Sequence, residues 1–157
     1  INENIKLLSE LDNSINIEFK RNQETIDLDS DKEQLSRVFF NLIKNSIESI
    51  QQKAENHPNF NKKITIEVND SNNHISINIK DNGIGFGIFA LNIKDILNPY
   101  FTTKKNGTGL GLSIVNKIIN DHNGKIEFVP IKDGARVDIT FNLNDSWNIN
   151  CRRQFWY

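Results

Sequence analysis

The sequence predicts an α+β fold in which helices pack on a sheet as a two-layer sandwich. Apolar residues recur at helical spacing in some segments and alternate with polar residues in others, which separates helices from strands. The predicted strands come mostly in adjacent pairs, and this grouping favours an α+β sandwich over a doubly wound parallel sheet. The length of 157 residues suits one domain with its own core.

The first part of the chain is predicted to form a helix and two short strands. Residues 2–11 carry apolar side chains at helical spacing, and residues 15–19 alternate in the manner of a half-buried strand. Ile26 and Leu28 indicate a second short strand. No internal repeat or low-complexity linker divides the chain.

The longest predicted helix follows a helix-start pattern. Ser30 and Glu33 have the spacing of a capping box ahead of an apolar-periodic run, so we expect a helix from there to about Ala54, with the core forming on it. The remaining predicted elements are a hairpin at 64–68 and 75–79, a short helix at 91–97, a helix from about 112 to 121 and a closing hairpin at 125–129 and 135–143.

Composition excludes several classes of protein. The net charge is -1 and charges of both signs are interspersed, so no basic face predicts contact with nucleic acid or a membrane surface. Cys151 is the single cysteine, which excludes a disulfide framework. The apolar runs are shorter than the ~20 residues that span a bilayer, and we expect no signal peptide within this sequence. We expect a soluble cytoplasmic piece of a longer parent protein, which could itself be anchored in the inner membrane.

A glycine-rich stretch at residues 107–114 predicts an anion site. Its three glycines stand at alternate positions and lead directly into an apolar helical segment. The N–H groups of such a turn, together with the start of a helix, can hold a phosphate. Alone, this pattern is compatible with any anion.

The presence of two asparagines within the long helix calls for an explanation, because asparagine has a low propensity for helix interiors. Asn41 and Asn45 are four residues apart and share one face, which Glu48 continues. They are either exposed polar residues or amide oxygens offered to a metal. Mg²⁺ prefers oxygen ligands and keeps waters and substrate phosphates around it, so one neutral amide from the protein can suffice.

Two further stretches allow both a structural and a functional interpretation. Residues 81–86 form either an ordinary turn or a site where the Asp81 carboxylate accepts a hydrogen bond from a base amino group beside glycines. Residues 99–105 are either a surface loop with a buried phenylalanine or a segment that folds over a nucleotide. The P-loop, Rossmann and eukaryotic-type kinase patterns do not fit, because the sequence lacks a residue or a structural context that each of them requires.

These four stretches, in this order, resemble the N, G1, F and G2 boxes of the GHKL (Bergerat-type) ATP-binding superfamily; they are residues 41–48, residues 81–85, Phe101 and residues 107–111. The chain is similar in particular to the catalytic ATP-binding domain of bacterial sensor histidine kinases, and within it to the nitrogen-regulation class. The resemblance covers a domain at residues 1–144 and leaves a tail at 145–157 with no counterpart.

The resemblance implies an open mixed sheet with helices on one face, a mobile ATP lid at about 87–106, and ATP and Mg²⁺ as ligands. It assigns the metal to Asn45, the phosphate side to Asn41 and the adenine amino group to Asp81. Phe101 would stand at the hinge of the lid. The other nucleotide-binding positions that it implies are Gly83, Gly85, Thr102, Lys105, Gly107, Thr108, Gly109, Leu110, Gly111 and Leu112.

The sequence departs from the family pattern beside the metal asparagine. Many histidine kinases have a lysine three residues after it and then an aromatic residue, where this chain has Glu48 and Ser49. The cation for the phosphates must therefore come from elsewhere, and the candidates are Lys44, Lys104 and Lys105.

A phosphoacceptor histidine is also missing. None of the three histidines stands on a predicted helix ahead of an acidic residue, and His122 is interpreted as a helix-terminal residue; the other two are His57 and His74. The acceptor is therefore expected on a separate helical domain.

The implied function is transfer of the γ-phosphoryl group of ATP to a histidine on the dimerisation and phosphoacceptor domain of the same parent kinase. Asn41, Asn45, Lys44 and Lys104 would carry catalysis, and a response regulator would be the downstream partner. The alternatives are an ATPase switch of the gyrase or chaperone type, an anti-sigma serine kinase and a nucleotide-binding module without catalysis. ATPases of the superfamily place a water-orienting glutamate where this chain has Asn41, and an amide cannot take a proton. The fragment is expected to be monomeric.

Overall fold

The computed structural model describes residues 1–71, 73–86, 93–100, 102 and 107–143, without the side chains of residues 93 and 94. The predicted tail at 145–157 and most of the predicted lid at 87–106 lie outside this part. Its helices and strands are, in chain order, α1 (Asn2–Ser9), β1 (Asn16–Arg21), α2 (Lys32–Asn56), β2 (Lys63–Asp70), β3 (His74–Asp81), a 3₁₀ helix (Ile93–Leu97), α3 (Gly111–Asp121), β4 (Gly124–Ile131) and β5 (Gly134–Asn142).

Among the described residues, five strands form one mixed sheet in the order β1-β2-β3-β5-β4. β1 and β2 are parallel, and every other neighbouring pair is antiparallel. A parallel pair needs a long connection, and α2 supplies it between β1 and β2. Both predicted hairpins are present, and the predicted α+β fold is confirmed.

One face of the sheet forms the core together with the helices. Along β2, β3 and β5, buried side chains alternate with partly exposed ones, as in a sheet covered on one side. The register aligns the buried rows, so that Ile66 faces Ile79 and Ile79 faces Val137. The long helix covers this face with the buried residues Leu35, Val38, Phe39, Leu42, Ile43, Ser46, Ile47 and Ile50.

The opposite face of the sheet is polar. Asn78 on β3 donates from Nδ2 to Oδ1 of Asp138 on β5 at 2.7 Å. Lys63 on β2 and Glu18 on β1 form an ion pair with a distance of 2.8 Å between Nζ and Oε1. Because this face is solvated, the apolar layer and the space between the helices lie on the other side of the sheet. No described helix is long and apolar enough to cross a membrane.

α2 begins one residue later than the capping-box pattern indicated. Asp31 is the N-cap, and its Oδ1 accepts the N–H of Gln34 at 3.0 Å. Gln34 donates its side-chain amide back to Oδ2 of Asp31 at 3.2 Å. Ser30 instead donates its hydroxyl to the carbonyl of Leu28 at 3.2 Å. The predicted roles of Ser30 and Glu33 are therefore wrong, because the aspartate one position later accepts from the helix more directly.

The predicted second short strand is also wrong. Residues 25–29 form no regular structure, although Ile26 and Leu28 are partly buried against the core. β1, which precedes them, pairs on one side with β2 and forms an edge of the sheet. The alternation of these two residues therefore reflects burial of an extended segment and not pairing with another strand.

A histidine joins the start of α2 to the end of α3. His122 is the C-cap residue of α3 and is 7% exposed. Its Nε2 accepts the N–H of Asp31 at 3.1 Å, and its Nδ1 lies 2.8 Å from the carbonyl oxygen of Ile118. A carbonyl can only accept, so Nδ1 carries the hydrogen and Nε2 keeps a lone pair for Asp31. This contact fixes the mutual position of the two helices that border the cavity described next.

Candidate functional site

A cavity of about 500 Å³ lies between α2, the start of α3 and one end of the sheet. Polar side chains of α2 form one wall, and the segment that follows β3 forms the floor. Residues 107–112 stand at the far end, where α3 begins. The cavity is therefore bounded by three of the four stretches that the sequence singled out, and Thr102 is the described residue of the fourth that lines it.

Four polar side chains of α2 form a stripe along the cavity. Asn41, Asn45, Glu48 and Gln52 recur every three or four residues, so the helix presents them on one face. Lys44 flanks the stripe, and its Nζ lies 3.8 Å from Oε1 of Glu48. Lys44 is the one predicted phosphate-binding lysine within the described residues, and Glu48 offsets part of its charge.

Asp81, the last residue of β3, is a carboxylate buried in the floor of the cavity. It is 5% exposed, and its Oδ1 accepts the N–H of Gly83 at 2.9 Å. Burial raises the pKa of this carboxyl above its ordinary value of 3.8, because the charged form loses its hydration. Hydrogen bonds from the N–H of Gly83, the hydroxyls of Ser46 and Ser49 and the N–H of Ala135 oppose this rise.

Two serines of α2 hold this carboxylate, and the sequence interpretation missed them in this role. Ser46 is buried and hydrogen-bonds to Asp81, while Ser49 lies with Oγ 3.5 Å from Oδ1 of Asp81. They are three residues apart on the side of the helix that faces the sheet. The sequence did contain a signal for this role, namely two small hydroxyl residues at this spacing within an otherwise apolar helix face.

The segment after Asp81 is fixed by hydrogen bonds on both sides. The side chain of Asn82 accepts the N–H of Lys63 at 2.9 Å and donates to the carbonyl of Asn61 at 2.5 Å. Lys53 of α2 donates from Nζ to the carbonyl of Asn82 at 2.7 Å. The N–H of Ile84 donates to Oγ of Ser49 at 3.1 Å. The floor of the cavity is thus held rigidly relative to α2.

The far end of the cavity has the features of an anion site. α3 begins at Gly111 without a side-chain cap and without an acidic residue in its first turn. Its first N–H groups and the positive end of the helix dipole are favourable for a negative group. Tyr100 donates its N–H to the carbonyl of Gly109 at 3.0 Å, which ties the glycine stretch to the segment before it.

The structure brings most of the predicted site residues together. The predicted residues that line the cavity are Asn41, Lys44, Asn45, Asp81, Gly85, Thr102, Gly107, Thr108, Gly109, Gly111 and Leu112. Gly83 lines a neighbouring cavity of about 450 Å³ on the other side of the same loop, and Leu110 lines neither cavity. Phe101, Lys104 and Lys105 lie outside the described residues.

The β4–β5 hairpin contributes residues that sequence reasoning did not assign to a site. Phe128, Ala135 and Val137 line the cavity beside Asp81. Phe128 also packs edge-to-face on Phe86, with ring centroids 6.0 Å apart. These residues alternate in the ordinary manner of a buried strand, so the sequence carried no signal that separated them from the core.

The arrangement suits a ligand with a hydrogen-bond donor at one end and an anion at the other. The described residues include no group of three or more histidine, cysteine, aspartate or glutamate side chains that could hold a metal alone. A metal ion between Asn45 and the anion end would therefore take most of its oxygens from the ligand and from water. That donor set fits Mg²⁺, which binds one or two protein oxygens together with substrate phosphates.

Comparison with known sequences points to one family. A family model described as histidine kinase-, DNA gyrase B- and HSP90-like ATPase matches residues 30–145. The sensor histidine kinase ZraS of Escherichia coli O157:H7 is 32% identical over 147 residues, which are 92% of this chain and 30% of that protein. A putative sensor histidine kinase, NtrY-like, of Rickettsia bellii is 32% identical over 92% of this chain and 23% of its own length. The chain thus spans less than a third of these relatives.

Solved structures agree with the sequence relatives. The nucleotide-free catalytic domain of histidine kinase ThkA is 29% identical, with a TM-score of 0.71 and coverage of 90% of this chain and 91% of that one. A second structure, histidine kinase ThkA in complex with response regulator protein TrrA, matches with a TM-score of 0.68 and 27% identity, covering 90% of this chain and 38% of that one.

Proposed function

We propose a function for this chain on the basis of its family: it belongs to the histidine kinase-, DNA gyrase B- and HSP90-like ATPases. In this proposal the chain is the catalytic domain of a sensor histidine kinase. It binds Mg-ATP in the cavity between α2 and α3 and transfers the γ-phosphoryl group to a histidine on a separate phosphoacceptor domain. The names of the relatives agree with this proposal and with the nitrogen-regulation class.

The observation that carries the proposal is the placement of Asp81 and of the start of α3 at opposite ends of one cavity. A buried carboxylate that is already fixed by Gly83 can accept a hydrogen bond from the 6-amino group of adenine. The phosphates would then extend toward residues 107–111, where the backbone N–H groups are available. A cavity of about 500 Å³ is in the range of nucleotide-sized ligands.

Asn45 would supply the protein oxygen to Mg²⁺, and Asn41 would support the phosphates one helical turn earlier. Asn41 lies close to Gly111, so its position at the phosphate end agrees with that role. Lys44 lines the cavity and would be one cation that binds the phosphates. Lys104 and Lys105 are further candidates for this role, and they rest on the sequence alone. The bound metal would neutralise charge on the transferring phosphoryl group.

Phosphoryl transfer depends mainly on positioning and on neutralisation of charge, and this chain supplies both. Asp81 and the glycine stretch would orient ATP, and Lys44 with the first turn of α3 would offset phosphate charge. The attacking histidine would come from the phosphoacceptor domain. His122 is buried in a structural role, and His57 at the end of α2 and His74 at the start of β3 do not line the cavity. The chain therefore needs no acceptor of its own.

Hydrolysis by a gyrase- or chaperone-type mechanism is the less favoured alternative. It requires a carboxylate on α2 that orients water one turn before the metal asparagine. Asn41 occupies that position, and its Nδ2 already donates to the carbonyl of Arg37 at 2.9 Å. An anti-sigma serine kinase and a catalytically inactive nucleotide-binding module remain further alternatives.

The partners and location of the whole protein belong to the same proposal. The structure of ThkA with TrrA supports a response regulator as the partner class downstream. The dimerisation and phosphoacceptor domain would be supplied by the same parent kinase, which could be anchored in the inner membrane. The domain itself is proposed to be monomeric and to contact neither nucleic acid nor membrane.

The test combines the chain with a helical phosphoacceptor domain of this kinase class and labelled Mg-ATP. The expected product is phosphate on the partner that is lost in acid and stable in base. Acid-stable phosphate on serine or threonine would support the anti-sigma alternative. A separate melting experiment with the chain alone should give a higher Tm with Mg-ATP, because a ligand that binds the folded state stabilises it. No shift at millimolar nucleotide would contradict the proposal.

A further inference from the structure

We infer that the tip of the β4–β5 hairpin, through Gly134, positions Asp81 and thereby sets recognition of the adenine 6-amino group. This inference rests on the proposed function, because it concerns the base end of the same cavity. Gly134 does not line that cavity and would not touch the nucleotide. It is therefore a positioning residue that acts through Asp81.

The backbone of the hairpin tip approaches Asp81 more closely than any side chain would allow. A Cβ atom on Gly134 would overlap the carbonyl oxygen of Asp81 and would stand 2.8 Å from Cα of Asn82. Gly134 also has a φ of +121°, which residues with a side chain rarely adopt. A larger residue here must displace the backbone of Asp81, because both partners in the contact are main chain.

A second glycine completes the contact from the other side. Gly85 has a φ of +70°, and a Cβ atom on it would lie 2.5 Å from the carbonyl oxygen of Gly134. The opposite side of this loop is bound to α2, since the N–H of Ile84 donates to the hydroxyl and to the carbonyl of Ser49. The segment from Asp81 to Gly85 is thus held between α2 and the hairpin tip.

The hairpin also contacts the carboxylate. Ala135, the next residue, pairs with Asp81 as the last partners in the β3–β5 register, and its N–H hydrogen-bonds to the Asp81 side chain. The main chain and the carboxylate of Asp81 are therefore both held by residues 134–135. A hydrogen bond to a 6-amino group requires that this carboxylate is placed within a fraction of an ångström.

The experiment compares two nucleotides that differ only at the 6-position of the base. ATP carries the amino group, and purine riboside triphosphate lacks it. Competition binding with Mg²⁺ gives the ratio of their dissociation constants, which we expect to be about tenfold in the wild type. In Gly134→Ala this ratio should fall toward one, mainly through weaker ATP binding. An unchanged ratio, with both nucleotides weakened alike, would overturn the inference.

Gly111→Ala is the matched control at the phosphate end. It adds the same methyl group to the same residue type, and it should weaken both nucleotides in parallel without changing their ratio. If the control lowered the ratio as much as Gly134→Ala does, the assignment of base recognition to the hairpin would be wrong.

A second variant covers the case in which Gly134→Ala does not fold. Replacing Lys132 and Asp133 together by glycine loosens the hairpin turn without adding any atom near Asp81. The ratio should then fall at least twofold, while the fold, followed by circular dichroism, is retained. A retained ratio would contradict the inference. Wild-type protein that binds neither nucleotide would instead contradict the proposed function itself.

Discussion

The amide oxygen of Asn41 lies 3.4 Å from the point that a Cβ atom on Gly111 would occupy. This approach brings α2 and the start of α3 together at the proposed phosphate end of the cavity. An alanine at 111 would stand at ordinary contact distance, so we expect the free energy of unfolding to change by less than about 0.5 kcal/mol. Its methyl group would nevertheless occupy space beside the phosphates.

Gly111→Ala should therefore weaken Mg-ATP binding about tenfold, which corresponds to roughly 1.4 kcal/mol. Calorimetric titration measures the affinity, and urea denaturation of the same sample measures the stability. Unchanged affinity in a folded variant would contradict the placement of the phosphates between Asn41 and α3.

Asn45→Ala should reduce the Mg²⁺-dependent part of ATP binding. The amide oxygen is the one protein ligand that we propose for the metal, and its removal should weaken Mg-ATP about tenfold. Titrations in excess EDTA serve as the internal control, because without metal the variant and the wild type should bind ATP equally. A variant that is weaker by the same factor in EDTA would show a role that does not involve the metal.

Asp81→Asn should separate stability from binding. The pKa of this buried carboxyl is raised on folding, so the folded state holds its proton more tightly than the unfolded chain does. Stability is therefore lost as pH rises from the ordinary value of 3.8 through the raised value. This pH-dependent loss should be absent in Asp81→Asn, because the amide does not titrate, and urea denaturation of both proteins across this pH range in the absence of nucleotide measures it.

The same variant should lose preference for adenine, since an asparagine offers a donor as well as an acceptor to the 6-amino group. In the wild type, ATP affinity should fall as pH is lowered through the raised pKa of Asp81, and this fall should be absent in the variant. Equal binding of GTP and ATP by the wild type would contradict the role of Asp81.

Asn41→Glu tests whether a missing carboxylate is what prevents hydrolysis. A glutamate at this position could orient water, and general-base catalysis typically contributes ~10²–10⁴-fold. Phosphate release from Mg-ATP by the chain alone should therefore rise at least tenfold above the wild type. Asn41→Gln is the matched control, because it has the same length without the carboxylate and should show no gain. Equal rates in both variants would exclude this explanation.

His122→Ala should destabilise the fold without a direct effect on the ligand. The change removes the acceptor for the N–H of Asp31 and the partner of the Ile118 carbonyl, and an unsatisfied buried group costs about 1–3 kcal/mol. Urea denaturation should detect this loss. His57→Ala, at an exposed position, is the control and should stay within about 0.5 kcal/mol of the wild type. Equal stability of the two variants would contradict the structural role of His122.

The sequence predicted the elements that follow from hydrophobic period. Both hairpins, α2 and α3 were expected near their observed bounds, because each carries a long and regular apolar pattern. The end of α2 was expected near Ala54, and the helix continues to Asn56. The resemblance of four separated stretches also predicted which residues would meet, and most of them line one cavity.

What the sequence could not provide are contacts between distant main-chain atoms. In the sequence, Gly134 looked like an ordinary hairpin glycine. Its approach to Asp81, 53 residues earlier, arises only because β3 and β5 are neighbours in the sheet. The N-cap was placed one residue early, because Ser30 and Asp31 are both good caps and tertiary packing decides between them. Ile26 and Leu28 were wrongly predicted to form a strand, because burial alone can produce the same alternation of apolar and polar residues.

Within the described part of the chain the open sheet has two edges, and the strand order identifies them as β1 and β4. β4 contains Pro130, which has no N–H to offer a further strand. β1 carries Glu18, Lys20 and Arg21, and such charges discourage strand addition. Both edges are therefore poor templates for cross-β aggregation, and the domain should remain dispersed at concentrations where an unprotected sheet of this size would begin to form fibrils.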